Sequence, residues 1–164
     1  MTCTIISTGE ELNLACKNEK ESPYPQIKEK LLEKIWELYC QGYERFWVNC
    51  EYGVPLWCAE IITALRMYND VELHIAMPYE EQATNWGEEI RDRFFHIHSQ
   101  ANGVKIVNAR YHDACHEETD KFMIDDSDML LVIGDNNSEL YSVEYAKTIG
   151  VEICYIQNFW NHGN

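Results

Sequence analysis

Apolar and polar positions follow two rhythms along this chain. Short, nearly unbroken apolar runs predict strands: "CTIIS" (3–7), "RFWVNC" (45–50), "VELHIAM" (71–77), "VKIVNA" (104–109), "MLLVI" (129–133) and "VEICYI" (151–156). Between them lie segments with the i, i+3, i+4 spacing of an amphipathic helix. Over 23–42, Ile27, Leu31, Leu32, Ile35, Leu38 and Tyr39 share a face, and Gly42 closes the helix. Further helices are predicted over 54–68, with Pro55 tolerated in the first turn, over 85–101 despite Gly87, over 115–126, and from Glu139 onward. The third strand is expected to stop at Pro78. Runs without strict alternation suit strands covered on both faces. Strand and helix alternating about five times predict a doubly wound α/β domain, with a mostly parallel sheet and helices on both faces. One domain over 1–164 is expected, with 158–164 as a tail.

In such a sheet, ligands bind beyond the carboxyl ends of the strands, where the strand order reverses. The loops expected there are Thr8–Glu11, Asn49–Gly53, Pro78–Gln82, Tyr111–Cys115 and Asp135–Ser138. The last joins a buried strand to a helix N-terminus, a common seat for phosphate. After Gly134, however, the turn has no glycine, lysine or arginine.

Composition narrows the classes. The 164 residues are 46% hydrophobic, enough to bury a core, and no apolar run approaches the roughly 18 residues of a membrane span. "MTCTIIS" has neither the charged region nor the cleavage site of a signal peptide. Seven cysteines at irregular spacings, without a CxxC pair, fit a reducing cytoplasmic setting. Twenty-eight carboxylates against 13 Lys and Arg leave a net charge of -15. That acidity argues against nucleic acid and against anionic membranes as partners.

Several segments together resemble a known family. "TG" at Thr8–Gly9 follows the first strand. "GVPLWCAEII" (53–62) is similar to a GVDLWAAE-like segment, and "MPYEEQATNW" (77–86) to IPFExQxxxW. Tyr111, Cys115 and "MIDDSDMLLV" (123–132), similar to MVDxSDxLIA, complete the series. In this order and spacing they resemble the YpsA-like branch of the SLOG superfamily, Rossmann-like proteins related to DprA and to the lonely-guy phosphoribohydrolases. The resemblance covers about residues 3–156. It implies a Rossmann-like fold and an intracellular bacterial protein tied to nucleotide chemistry.

The departures bear on function. Where the family reads TGHR, this chain has Thr8–Gly9–Glu10–Glu11. Where it has Ser-Gly and a small residue, this chain has Val48–Asn49–Cys50–Glu51–Tyr52–Gly53. A family Arg-Asn pair falls at Thr119–Asp120, and a Gly-Gly-Thr turn is shortened to "DNNSEL". Glycines let backbone N–H groups approach a phosphate, and arginine binds it bidentately. Their loss, with Glu10, Glu11 and Glu51 added, should disfavour phosphate. The resemblance and the loops together give a candidate ligand set. It comprises Thr8, Gly9, Glu10, Asn49, Glu51, Gly53, Trp57, Pro78, Tyr79, Gln82, Trp86, Tyr111, Asp135, Asn136, Asn137 and Ser138. Among these, Trp57, Tyr79, Trp86 and Tyr111 could stack a base or fill a core.

Other constellations are weaker. His112 and His116 are four apart beside Cys115, a spacing that suits zinc. Capping or surface roles explain them as well. Cys50 and Cys115 fall near the sheet edge, but a reactive thiolate needs a cation nearby, and Glu117 and Glu118 oppose it. The expected function is binding or sensing of a nucleotide-related small molecule, or a regulatory role for a degenerate pocket, with no cofactor and no catalytic residue. Two rivals stand beside it: a nucleoside or nucleotide N-glycosidase using a carboxylate near Glu139 or Glu51, and a structural homodimer.

Overall fold

A computed structural model of the protein describes residues 1–8, 18–134 and 140–156. In chain order the elements are β1 (Thr2–Ser7), α1 (Tyr24–Cys40), β2 (Arg45–Val48), α2 (Val54–Leu65) and β3 (Glu72–Tyr79). There follow α3 (Glu88–Gln100), β4 (Gly103–Asn108), α4 (Cys115–Asp125), β5 (Met129–Ile133), α5 (Tyr141–Ile149) and β6 (Glu152–Ile156). The sheet has six strands in the order β4-β3-β2-β1-β5-β6, and every pairing is parallel.

The central apolar runs become strands covered on both faces, whereas the edge strands β4 and β6 remain partly exposed. Successive side chains of a strand point to opposite faces. On β5, Met129, Leu131 and Ile133 join a core with α1, α2 and α3, while Leu130 and Val132 join a second core with α4 and α5. Ile5 and Ile6 of β1 divide in the same way. This partition follows from chirality. The chain moves from β1 out to β4, returns through α4, then moves the other way from β5 to β6. Right-handed crossovers in opposite directions put their helices on opposite faces.

The strand expected over 45–50 ends at Val48 and the helix expected over 54–68 at Leu65, and three further boundaries differ from the sequence expectation. β3 runs through Pro78 to Tyr79. Its last rung with β2 is Val48↔Ile75, so Pro78 lies where β3 has a neighbour on one side only, and a missing N–H is tolerated there. Gly87 caps α3 from outside and is not inside the helix. The last described helix opens at Tyr141; Glu139 lies outside the described residues. The stop at Gly42 is as expected: Gly42 has φ +96°, its N–H donates to Tyr39 O, and Tyr43 N–H donates to Leu38 O. This double bond pattern satisfies the last carbonyls of α1.

The strand order reverses between β1 and β5, so the parting at which a ligand is expected lies at the carboxyl ends of these strands, marked by Thr8 and Gly134. Gly134 has φ +131°, and a Cβ there would lie 2.3 Å from Thr8 Oγ1 and 2.6 Å from Thr8 O. Gly134→Ala should therefore cost about 3 kcal/mol, from strain and overpacking together. In a thermal melt this is a fall of roughly 6–12 °C for a chain this size. Gly87→Ala, with nothing within 4 Å of its Cβ position, should stay within about 0.5 kcal/mol of the parent.

Candidate functional site

The loop after β2 is bent sharply and pinned at both ends. Cys50 has φ +54° and Gly53 φ +107°. The Glu51 N–H donates to Asn49 Oδ1 at 3.0 Å, and Leu56 N–H donates back to Glu51 O at 3.0 Å. Gln82, in the loop after β3, donates from Nε2 to Asn49 O at 2.9 Å, tying the two loops together. Gln82 is 5% exposed, and its Oε1 has no hydrogen-bond partner among the described residues. A buried acceptor left without a donor is costly.

Beside this frame polar and aromatic side chains converge from five segments. Glu51 Oε1 lies 2.8 Å from His116 Nδ1 at the start of α4. Tyr79, ending β3, and Tyr111, in the loop after β4, meet edge-to-face at 5.4 Å, and both stand against the His116 ring at 6.4 and 6.5 Å. One helical turn past His116, Asp120 accepts a hydrogen bond from Ser142 Oγ of α5 at 2.5 Å. The Glu51 carboxylate raises the His116 pKa. Burial raises Asp120 from 3.8 to about 6, against the Ser142 hydrogen bond. The cluster thus sets a carboxylate–imidazole pair flanked by two aromatic rings one helical turn from a carboxyl whose pKa burial raises. Such a group can accept from hydroxyls, exchange a proton and hold a flat ring.

The predicted residues divide. Asn49, Glu51, Gly53, Tyr79, Gln82 and Tyr111 belong to this edge, and Thr8 lies buried at the β1–β5 parting. Trp57, 1% exposed, packs against Tyr24 in the core with Lys28 over its ring. Trp86 packs on Phe94, and Pro78 is buried in β3. Gly9, Glu10, Asp135, Asn136, Asn137 and Ser138 lie outside the described residues.

From the sequence, His112 and His116 read either as zinc ligands or as capping or surface residues. The structure separates the two histidines: His112 bonds to Asn108 at 3.0 Å, while His116 pairs with Glu51. Cys115 is buried at the head of α4, and burial pushes the Cys50 thiol up. Asp120 and Ser142 are absent from the candidate set read from the sequence; the match of Thr119–Asp120 to the family's Arg-Asn pair and the four-residue step from His116 were the signals for the first.

A model of the YpsA family, described as the "YspA SLOG family", matches residues 5–152. The chain belongs to this family. A UPF0398 protein of Staphylococcus saprophyticus is 30% identical over 97% of this chain and 86% of its own length. A UPF0398 protein of Bacillus cereus is 32% identical over 76% of this chain and 71% of its own length. Among solved structures, DNA processing protein A of Helicobacter pylori, studied for its single-stranded DNA binding mode, superposes with a TM-score of 0.63 at 14% identity. The match covers 100% of this chain and 68% of that one. The Rossmann-like α/β fold and the SLOG resemblance read from the motifs therefore hold for this YpsA-family chain.

One expectation is corrected. Net charge was read as excluding nucleic acid, yet a protein of this fold binds single-stranded DNA, so the exclusion does not stand. Charge summed over a whole surface does not decide what one cleft can hold. As to membranes, no helix among the described residues is long and apolar enough to cross one.

Two pH responses follow. A raised histidine contributes stability fully present below its unfolded value, near 6.5, and lost as pH rises through the folded value. Urea titrations should show His116→Gln costing more at pH 5.5 than at pH 8.5. For Asp120 the burial cost sets in as pH rises from 3.8 to about 6. Asp120→Asn should then gain stability over the parent at pH 7.5 and lose that advantage near pH 4.

Proposed function

We propose that the protein binds a nucleotide-related small molecule at the carboxyl edge of its sheet and senses it, or serves as a regulatory module through that pocket. The observation that carries this reading is the convergence of Glu51, His116 and Asp120 with Tyr79 and Tyr111 at that edge. Carboxylates accept hydrogen bonds from ribose hydroxyls, as the acidic residue of a dinucleotide fold does. Tyrosine faces stack any base. The glutamates added to the family loops disfavour phosphate here, so the sugar and base carry the recognition. Gln82 Oε1, buried without a donor, adds support for a ligand amide or hydroxyl at this edge.

N-glycoside cleavage is the second reading. It rests on Asp120, raised to about 6, which could serve as an acid near neutral pH. Release of free base from a nucleoside, followed by chromatography and abolished in Asp120→Asn, would establish it.

The test is a thermal-shift and calorimetric panel of nucleosides, nucleotides, NAD, ADP-ribose, cyclic dinucleotides and a single-stranded oligonucleotide. A ligand at 100 times its Kd stabilises by about 2.7 kcal/mol, or several degrees. Tyr111→Ala, at a residue 59% exposed, should weaken such a ligand by about 1–3 kcal/mol without unfolding the chain. Binding of the oligonucleotide alone would replace a small-molecule ligand with a polymer. No shift across the panel would overturn the reading.

A further inference from the structure

The other face of the sheet carries a second polar cleft. It has a volume of about 720 Å³ and lies between the 18–20 turn, α1 and α3, with Tyr52 as part of its wall. Three of the chain's 13 basic residues line it: Lys20, Lys28 and Arg93. On so acidic a chain this is a local concentration of cations, answered by Glu19 and Glu89 in the same lining.

The two edges of the Arg93 guanidinium are used differently. Its Nε and Nη2 donate to Glu60 of α2 at 2.7 and 2.8 Å, joining two packed helices. Its outer edge, Nη1 and Nη2, donates to both Glu19 oxygens at 2.9 and 3.1 Å. Lys28 Nζ donates to Glu19 Oε2 at 2.6 Å, and it also lies 4.9 Å over the Trp57 ring. Glu19 is not on a helix. It sits in a short turn closed by local bonds, Glu21 N–H to Asn18 O and Asn18 Nδ2 to Glu21 Oε1. Burial alone would raise the Glu19 pKa, but Arg93 and Lys28 outweigh it and hold the carboxyl at about 2, so it is ionised at any ordinary pH.

One carboxylate therefore takes a two-pronged guanidinium contact and an ammonium, the donor set that recognises phosphate and carboxylate ligands. We propose that this cleft is an anion site for a phosphate or carboxylate group, with Lys28 and the outer edge of Arg93 as donors, Lys20 at the rim, and Glu19 as an internal occupant that an external anion displaces. It goes beyond the nucleoside reading and is separate from it in space. Glu51 reaches His116 on the α4 face, whereas its neighbour Tyr52 lines this cleft. Glu60 keeps Arg93 aimed into the cleft when Glu19 leaves.

The experiment titrates the full chain with potassium phosphate, AMP or sodium acetate. It follows the melting temperature against sodium chloride at matched ionic strength. In Glu19→Gln, the anion-specific rise should appear at a concentration at least tenfold lower than in the parent, and adding Lys28→Ala should remove it. The arm that responds names the source: free phosphate, a nucleotide phosphate or a carboxylate. If Glu19→Gln responds to all three no more than to sodium chloride, the proposal is overturned. Should Glu19→Gln fail to fold, the parent is compared with Lys28→Ala at high phosphate. A specific rise lowered by Lys28→Ala supports the site, and equal responses overturn it. Inorganic anions make no demand on the Tyr79–Tyr111 pocket, so the two readings fail separately.

Discussion

The parallel ladder between β1 and β5, buried on both faces, is the constraint on which the rest of this structure depends. Five rungs, from Cys3↔Met129 to Ser7↔Ile133, hold the two strands together. Their carboxyl ends are the only place among the described strands where the order turns back. Everything N-terminal to α4 is laid down on one side of β1, and everything after it on the other. Handedness then forces α1–α3 and α4–α5 onto opposite faces. At the top of the ladder Thr8 and Gly134 approach so closely that no side chain fits at 134. The place of this parting is thus a consequence of how the strands are ordered.

The return crossing gives α4 its particular place. It travels back over β3 toward β5, and its first turns reach the loop that ends β2. His116 meets Glu51 there, and Asp120 meets Ser142 of α5, so residues far apart in sequence form two polar pairs one helical turn apart on α4. Burial makes the second pair responsive. A carboxyl withdrawn from water resists ionisation until a donor or a cation compensates it. Asp120 has a serine hydroxyl and the half-exposed imidazole of His116 nearby, which offset its burial only in part.

The Asn49–Gly53 loop serves both faces. Its positive-φ residues turn the chain within five positions, so that Glu51 engages α4 while Tyr52 borders the cleft under Arg93. This explains why net charge misled. The chain is strongly acidic as a whole, yet Lys20, Lys28 and Arg93 gather at one cleft, and their carboxylate partners are particular side chains with particular geometries. What a ligand meets is that local set.

The apolar runs and the helical spacing carried the secondary structure, because burial of the central strands on both faces and of one face of each helix leaves its mark on the sequence. Gly42 announced a helix end, since only its backbone freedom allows the turn found there. The motif series from Thr8 to Val132 carried the family, and the loop positions carried Glu51, Tyr79, Gln82 and Tyr111 to the right edge of the sheet. Trp57 and Trp86 read equally well as pocket or core, because an aromatic ring satisfies either, and only packing on Tyr24 and Phe94 decided it. Pro78 and Gly87 carry strong local preferences, but their roles depended on where β2 ended and where α3 began. Ser142 and Arg93 left no mark in their own segments, and Asp120 only its place at a family motif position. Their partners come from other elements, and the strand order that brings them together is a property of the whole chain's packing.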